Sequence, residues 1–252
     1  MSQPKNKFFI TLGCSWTLGV GANYNDGMTE PDLQEVAWID DEIEPLSFRK
    51  QISNKLGFDH INLAEGGSSN QRQFRRAREF FLAKDQEWFD NHELIVLWAL
   101  TSLYRNDLFN VNTMDYDKLL LTRPNGAEIS RILLTDHFDQ QVELKTLSEH
   151  MKMFDNFFEH KKITNYWVNT FNPHKYPHQF PNLLFHGMDL LSKLTNDLDD
   201  NNQYHLSDWE HDTDRKITKA KAHKLVNPIS GHPTRAGHKI IANLIYNHIF
   251  TR

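Results

Sequence analysis

The chain has one cysteine, Cys14, in 252 residues, so no disulfide can close within it and a reducing compartment is the expected setting. Long hydrophobic runs are also missing: the longest, such as Leu94 to Leu100, fall far short of the ~20 residues that span a bilayer, and no membrane contact is expected. The opening residues Met1-Ser2-Gln3-Pro4-Lys5 carry no apolar signal-peptide core. The expected location is therefore the cytoplasm of some host cell. Positive charge is not in excess, with 28 Lys and Arg against 33 Asp and Glu for a net charge of −5, which argues against a nucleic-acid partner. No Gly-Lys-Ser/Thr closes a phosphate-binding loop, and no three-glycine fingerprint opens a helix. Histidine is abundant at 14. Yet His174, His178, His205 and His211 show no zinc spacing with a third ligand, so neither a metal nor a cofactor is expected.

What is present builds a core. There are 17 Phe, 6 Trp and 7 Tyr, and the length suits one sizeable domain, 1–252. Short apolar strands alternate with amphipathic segments. Phe8 to Leu12, His60 to Ala64, Leu94 to Leu100 and Ile163 to Phe171 read as strands, the last ending at Asn172-Pro173. Leu94 to Leu100 is apolar throughout, as in a central strand covered on both faces. Helices are expected from Pro45 to Gly57, Asn70 to Lys84, Leu144 to His160, Leu183 to Leu194 and Pro233 to Phe250. Residues 20–44 read as a loop, 101–140 as an irregular insertion and 197–214 as an acidic loop. Arg72, Arg75, Arg76 and Arg78 read as a solvated helix face. The alternation implies an α/β fold with a mostly parallel sheet in three layers.

In such a sheet, ligands bind where the strands end. Ser15 follows the first strand, Gly66-Gly67 the second and Thr101-Ser102 the third. A serine on a strand-end turn is ordinarily a turn or cap residue. Here it also has a potential base in His232, in Gly231-His232-Pro233 near the other end of the chain. Acyl transfer needs such a nucleophile and base, with backbone amides on tight turns to hold the oxyanion. Gly67 suits that last role because no side chain obstructs its N–H. The nucleophile elbow Gly-x-Ser-x-Gly is excluded, since Thr17 stands at its final position.

Three blocks carry a family resemblance. Gly13-Cys14-Ser15-Trp16-Thr17-Leu18-Gly19 resembles the GDSxTxG nucleophile block of the SGNH (GDSL-type) hydrolases. Asn62 to Asn70 resembles their second block, and Gly231 to Ala242 their last. The resemblance implies a flavodoxin-like three-layer α/β/α sandwich, with Ser15 as nucleophile, His232 as base and Gly67 as an oxyanion donor, acting on a small-molecule or glycan ester. Three departures mark a divergent member. Cys14 stands for the family aspartate, Thr101 or Ser102 for the oxyanion asparagine (Asn106-Asp107 follows shortly after), and Ile229 and Ser230 where the family acid lies.

Asp208, Glu210 and Asp212, in an acid-rich stretch, are the candidates for a displaced acid; a backbone carbonyl near Asn227 is the alternative. Two readings stand. One is a serine esterase or deacylase acting on a small acyl ester, with an O-acetylated carbohydrate as one substrate. The other is a catalytically silent SGNH-fold protein used for binding or structure. Similar sequences with Thr or Ser for the asparagine occur on tailed-phage genomes, which would place the chain in a host cytoplasm or a virion.

Overall fold

The computed structural model describes residues 5–36, 38–120, 138–171, 174–195, 217–218, 221 and 223–251. Its strands are β1 (Asn6–Leu12), β2 (Asp59–Asn62), β3 (His92–Leu100), β4 (Arg105–Asn110), β5 (Asp115–Leu120) and β6 (Thr164–Asn169). Its helices are α1 (Ser15–Leu18), α2 (Glu30–Val36), α3 (Asp40–Ile43), α4 (Phe48–Leu56), α5 (Asn70–Leu82), α6 (Gln86–Asn91), α7 (Gln140–Lys161), α8 (Leu190–Thr195) and α9 (Arg235–Phe250). β2, β1, β3 and β6 lie in that order in one sheet, every neighbouring pair parallel. Among the described residues, no helix is long and apolar enough to cross a membrane.

Alternation along β3 explains the layers. Ile95, Leu97 and Ala99 pack into one apolar cluster with Phe48 and Ile52 of α4 and Ile241 and Ile245 of α9. Leu94, Val96, Trp98 and Leu100 enter the other, with Phe74 and Phe81 of α5 and Phe154 and Phe158 of α7. Successive side chains of a strand point to opposite faces, so an unbroken apolar run must be covered on both. Trp98 and Trp167, both fully buried, stack across β3 and β6 with centroids 4.7 Å apart.

Several boundaries differ from expectation. α4 begins at Phe48, because Pro45 lies in a separate 3₁₀ turn and Ser47 caps the helix by accepting from Lys50 N at 3.4 Å. α9 begins at Arg235, because Thr234 Oγ1 accepts from Gly237 N at 3.3 Å and Pro233 precedes that cap. Residues 20–44 hold α2 and α3. The expected helix over 183–194 is a 3₁₀ turn, Leu184–Gly187, followed by α8. Part of the irregular 101–140 stretch is an antiparallel hairpin, with Arg105 opposite Leu120 and Asn110 opposite Asp115. Ion pairs bind this hairpin to α5 and the turn after β2: Arg72 and Arg75 hold Asp107 at 3.0 and 2.6 Å, while Lys118 holds Glu65 at 2.6 Å.

Candidate active site

The parallel sheet delivers its strand ends to one edge. β1 ends at Leu12, and Ser15 opens α1 two residues beyond Gly13, with only 4% of its surface exposed. His232 sits on a loop pinned just before α9. Asn227 N donates to His232 O at 2.8 Å and Thr234 N to Leu225 O at 3.0 Å, while Val226 bridges Pro233. Gly21 lets this loop come close: its φ is +88°, and a Cβ there would lie 2.8 Å from His232 Cβ and 2.7 Å from Asn227 Nδ2. A side chain at Gly21 would push the imidazole away from its partners.

The result is a contact between the two residues picked from opposite ends of the chain: His232 Nε2 lies 2.8 Å from Ser15 Oγ. On the other side of the ring, His232 Nδ1 lies 2.8 Å from Ser230 Oγ. Ser230 Oγ in turn donates to Asn227 Oδ1 at 3.0 Å. The direction of each bond is forced. Asn227 Nδ2 donates to the His232 carbonyl at 3.0 Å and Asn227 Oδ1 accepts from Ser230 N at 2.7 Å, which orients the amide. The Ser230 hydroxyl therefore gives its proton to Oδ1 and accepts from Nδ1–H. Nε2 is left bare to accept from Ser15, the protonation pattern a general base requires.

Among the described residues, the group behind the ring is Ser230, through its hydroxyl at 2.8 Å and also through its backbone, so a backbone group near Asn227 stands where one was expected. Asp208, Glu210 and Asp212 lie outside the described residues. Among the described residues no carboxylate reaches His232, and the ring pKa is pushed down to about 4 by burial and then by the nearby Arg105 charge, with the Ser230 backbone acting weakly in the opposite sense. The imidazole is thus neutral over the ordinary pH range.

The oxyanion candidates are more mixed. Gly67 adopts a φ of +73°, open to glycine at little cost, and is exposed beside Lys118. Lys118 Nζ donates to Gly66 O at 2.7 Å, tying the turn to the hairpin. The Thr101 amide is already engaged: it donates to Asn70 Oδ1 at 2.9 Å, and Asn70 Nδ2 returns to Thr101 O at 3.0 Å. The Thr101 hydroxyl is different. It is buried and, among the described residues, has no hydrogen-bond partner. Asn106 does not swing toward the site; its Oδ1 caps Asp107 N at 2.8 Å.

Other sequence candidates resolve structurally. The expected solvated basic face is largely neutralised, with Arg72 and Arg76 pairing with Glu65 at 2.9 and 2.8 Å. Cys14 is fully buried. Ser230 occupies one of the positions expected for the acid, but its residue type hides its part. The side-chain amides of Asn227 and Asn70 carried no signal of their own, because what they do depends on which backbone groups the fold brings to them.

No family model matches the chain, and no curated protein does. Among solved structures, it is similar over 99% of its length to 70% of a carbohydrate esterase whose active site is described as displaying divergent catalytic and non-catalytic binding functions, at 10% identity and a TM-score of 0.49. It is similar over 98% of its length to 63% of an acetyl xylan esterase from Butyrivibrio proteoclasticus, at 11% identity and a TM-score of 0.48. A putative lipolytic protein of the G-D-S-L family from Desulfitobacterium hafniense matches 97% of the chain over its whole length, at 12% identity and a TM-score of 0.43.

Proposed function

We propose that the chain is a divergent SGNH-type serine esterase that hydrolyses a small acyl ester, an O-acetylated carbohydrate being the substrate class to try first. The observation that carries this reading is the 2.8 Å contact between Ser15 Oγ and His232 Nε2, with the imidazole tautomer set from behind by Ser230 and Asn227. Ser15 Oγ attacks the acyl carbonyl as its proton passes to His232 Nε2. The ester C–O bond breaks and the imidazolium returns that proton to the leaving alcohol oxygen. Water then attacks the acyl-serine and gives a proton to His232. The carboxylic acid leaves as Ser15 recovers its hydrogen. The Gly67 N–H and the unpartnered Thr101 hydroxyl are the proposed oxyanion donors.

A neutral relay orients the base but offers the imidazolium less stabilisation than a carboxylate, so turnover is slow. Replacing Ser230 with alanine is expected to lower kcat about tenfold, as for the loss of one hydrogen bond of about 1.4 kcal/mol. Ser230→Asp, which supplies a carboxylate at this position, is expected to raise kcat and move the acid limb of the pH–rate profile upward from about 4, because a carboxylate favours the charged ring. Steady-state kinetics from pH 4 to 8 checks both. The second reading, a silent binding protein, draws on the lack of a carboxylate beside His232 among the described residues. Release of acetate from acetylated xylose and from 4-nitrophenyl acetate, compared between wild type and Ser15→Ala, separates the two.

A further inference from the structure

Arg105 opens β4 at the base of the hairpin, four residues beyond Thr101. Its guanidinium lies over the Phe171 ring at 5.5 Å. Phe171 meets Trp16 edge-on at 5.1 Å, and Trp16 follows Ser15. A chain of ring contacts thus runs from Arg105 to the residue beside the candidate nucleophile. The hairpin that carries Arg105 is fixed by the Asp107 and Lys118 ion pairs, so the side chain stands on an anchored base.

What sets Arg105 apart is what it lacks. Its Nη1 is shielded from solvent and has no hydrogen-bond partner among the described residues, and no carboxylate there pairs with it. Four other guanidiniums have carboxylate partners: Arg49 with Asp40 at 2.6 Å, Arg72 and Arg75 with Asp107, and Arg76 with Glu65, although Arg76 Nε has no partner among the described residues. Glu143 lines the same small cavity as Arg105, yet it accepts from Gln71 Nε2 at 3.2 Å, and burial pushes its carboxyl pKa up with no cation opposing it. A shielded guanidinium N–H with no acceptor is costly unless a ligand completes it, and an anion is the acceptor it binds best.

Resting on the esterase reading above, we propose that Arg105 binds a carboxylate of the substrate next to the scissile ester, so that esters of acidic molecules are preferred. The planar fork of a guanidinium matches the two oxygens of a carboxylate, and the Phe171 ring lies 5.5 Å from that guanidinium. Among the described residues, the charge felt at His232 is that of Arg105, and no acid acts on it. The substrate anion therefore brings a negative charge that the described residues do not supply at His232, offsetting Arg105 when His232 becomes imidazolium.

The test compares two matched pairs of esters. Methyl 3-O-acetyl-glucuronoside against methyl 3-O-acetyl-glucoside places the carboxylate in the alcohol; 4-nitrophenyl hemisuccinate against 4-nitrophenyl butyrate places it in the acyl group. In wild type, kcat/KM favours the acidic member of at least one pair, and the pair that responds identifies which part of the substrate carries the anion. In Arg105→Gln that acidic-over-neutral ratio falls by about 10- to 100-fold, the range for a hydrogen bond to a charged group, and Arg105→Lys retains an intermediate ratio. An unchanged ratio in both variants, an equal loss on acidic and neutral esters, or a wild-type preference for the neutral member of both pairs overturns the proposal. If wild type hydrolyses none of the four, the esterase reading fails by itself, and calorimetric titration with methyl glucuronoside still decides the question for Arg105. Binding that is lost in Arg105→Gln supports the carboxylate site, and binding that is absent or unaffected overturns it.

Discussion

Replacing Ser15 with alanine is expected to lower kcat for ester hydrolysis by about 10⁴- to 10⁶-fold, the range seen when a nucleophile is removed from a unit that works together. His232→Ala is expected to do nearly as much, because Ser15 then has no acceptor for its proton. The double variant is expected to be no worse than the worse single one, since either change already disables the unit. Losses that multiply would mean that the two residues act independently. Single-turnover measurements with 4-nitrophenyl acetate, which count acyl transfer per site, provide the check. A fall of tenfold or less in both single variants would remove the pair from the chemistry altogether.

The second large effect concerns acid. Burial pushes His60, His174 and His232 down to about 4 and His238 to about 3. The best shielded are His60, between Thr11 Oγ1 at 3.0 Å and Glu44 at 3.1 Å, and His238, which takes Phe48 N at 3.3 Å. Neither ring is open to water. In the unfolded chain each imidazole binds a proton near pH 6.5. Between that value and the folded pKa the unfolded state holds more protons, so stability is complete above pH 6.5 and drains as pH falls toward 4. Each well-buried ring contributes on the order of 2 kcal/mol to this loss by pH 4.5. Thermal melts are therefore expected to show a midpoint that drops steeply from pH 6.5 to 4.5, and His238→Gln is expected to flatten the slope. A midpoint that holds level or rises over that interval would contradict the neutral burial of these rings.

Much of this molecule is legible in its sequence, for physical reasons that can be named. The unbroken apolar run of β3 follows from burial on both faces, and the serine and histidine at opposite ends of the chain meet because parallel strands end on one edge. The hairpin is not legible. Asn106, Asp107, Asp115, Asp117 and Lys118 give β4 and β5 no apolar alternation, and what fixes them is pairing with the arginines of α5 and with Glu65. Those same arginines read as a solvated patch because their acids come from 7 to 35 residues away. The orienting group was hidden for a subtler reason. Ser230 sits at a position expected for the acid, but only the Asn227 amide, oriented by the His232 carbonyl, turns its hydroxyl into an acceptor for the ring. The state of Arg105 depends on which acids the fold leaves out of its reach, and no local pattern records that.

The central claim is that Ser15 is a nucleophile activated by His232, and reaction with a fluorophosphonate tests it without knowledge of the substrate. Intact-mass and peptide analysis is expected to find one adduct, on Ser15, in the wild-type protein. It should be absent from Ser15→Ala and should form at least about a hundredfold more slowly in His232→Ala, as expected when a general base is lost. Wild-type protein that stays unlabelled while a serine hydrolase in the same tube is consumed, or labelling that persists unchanged in Ser15→Ala, would contradict it.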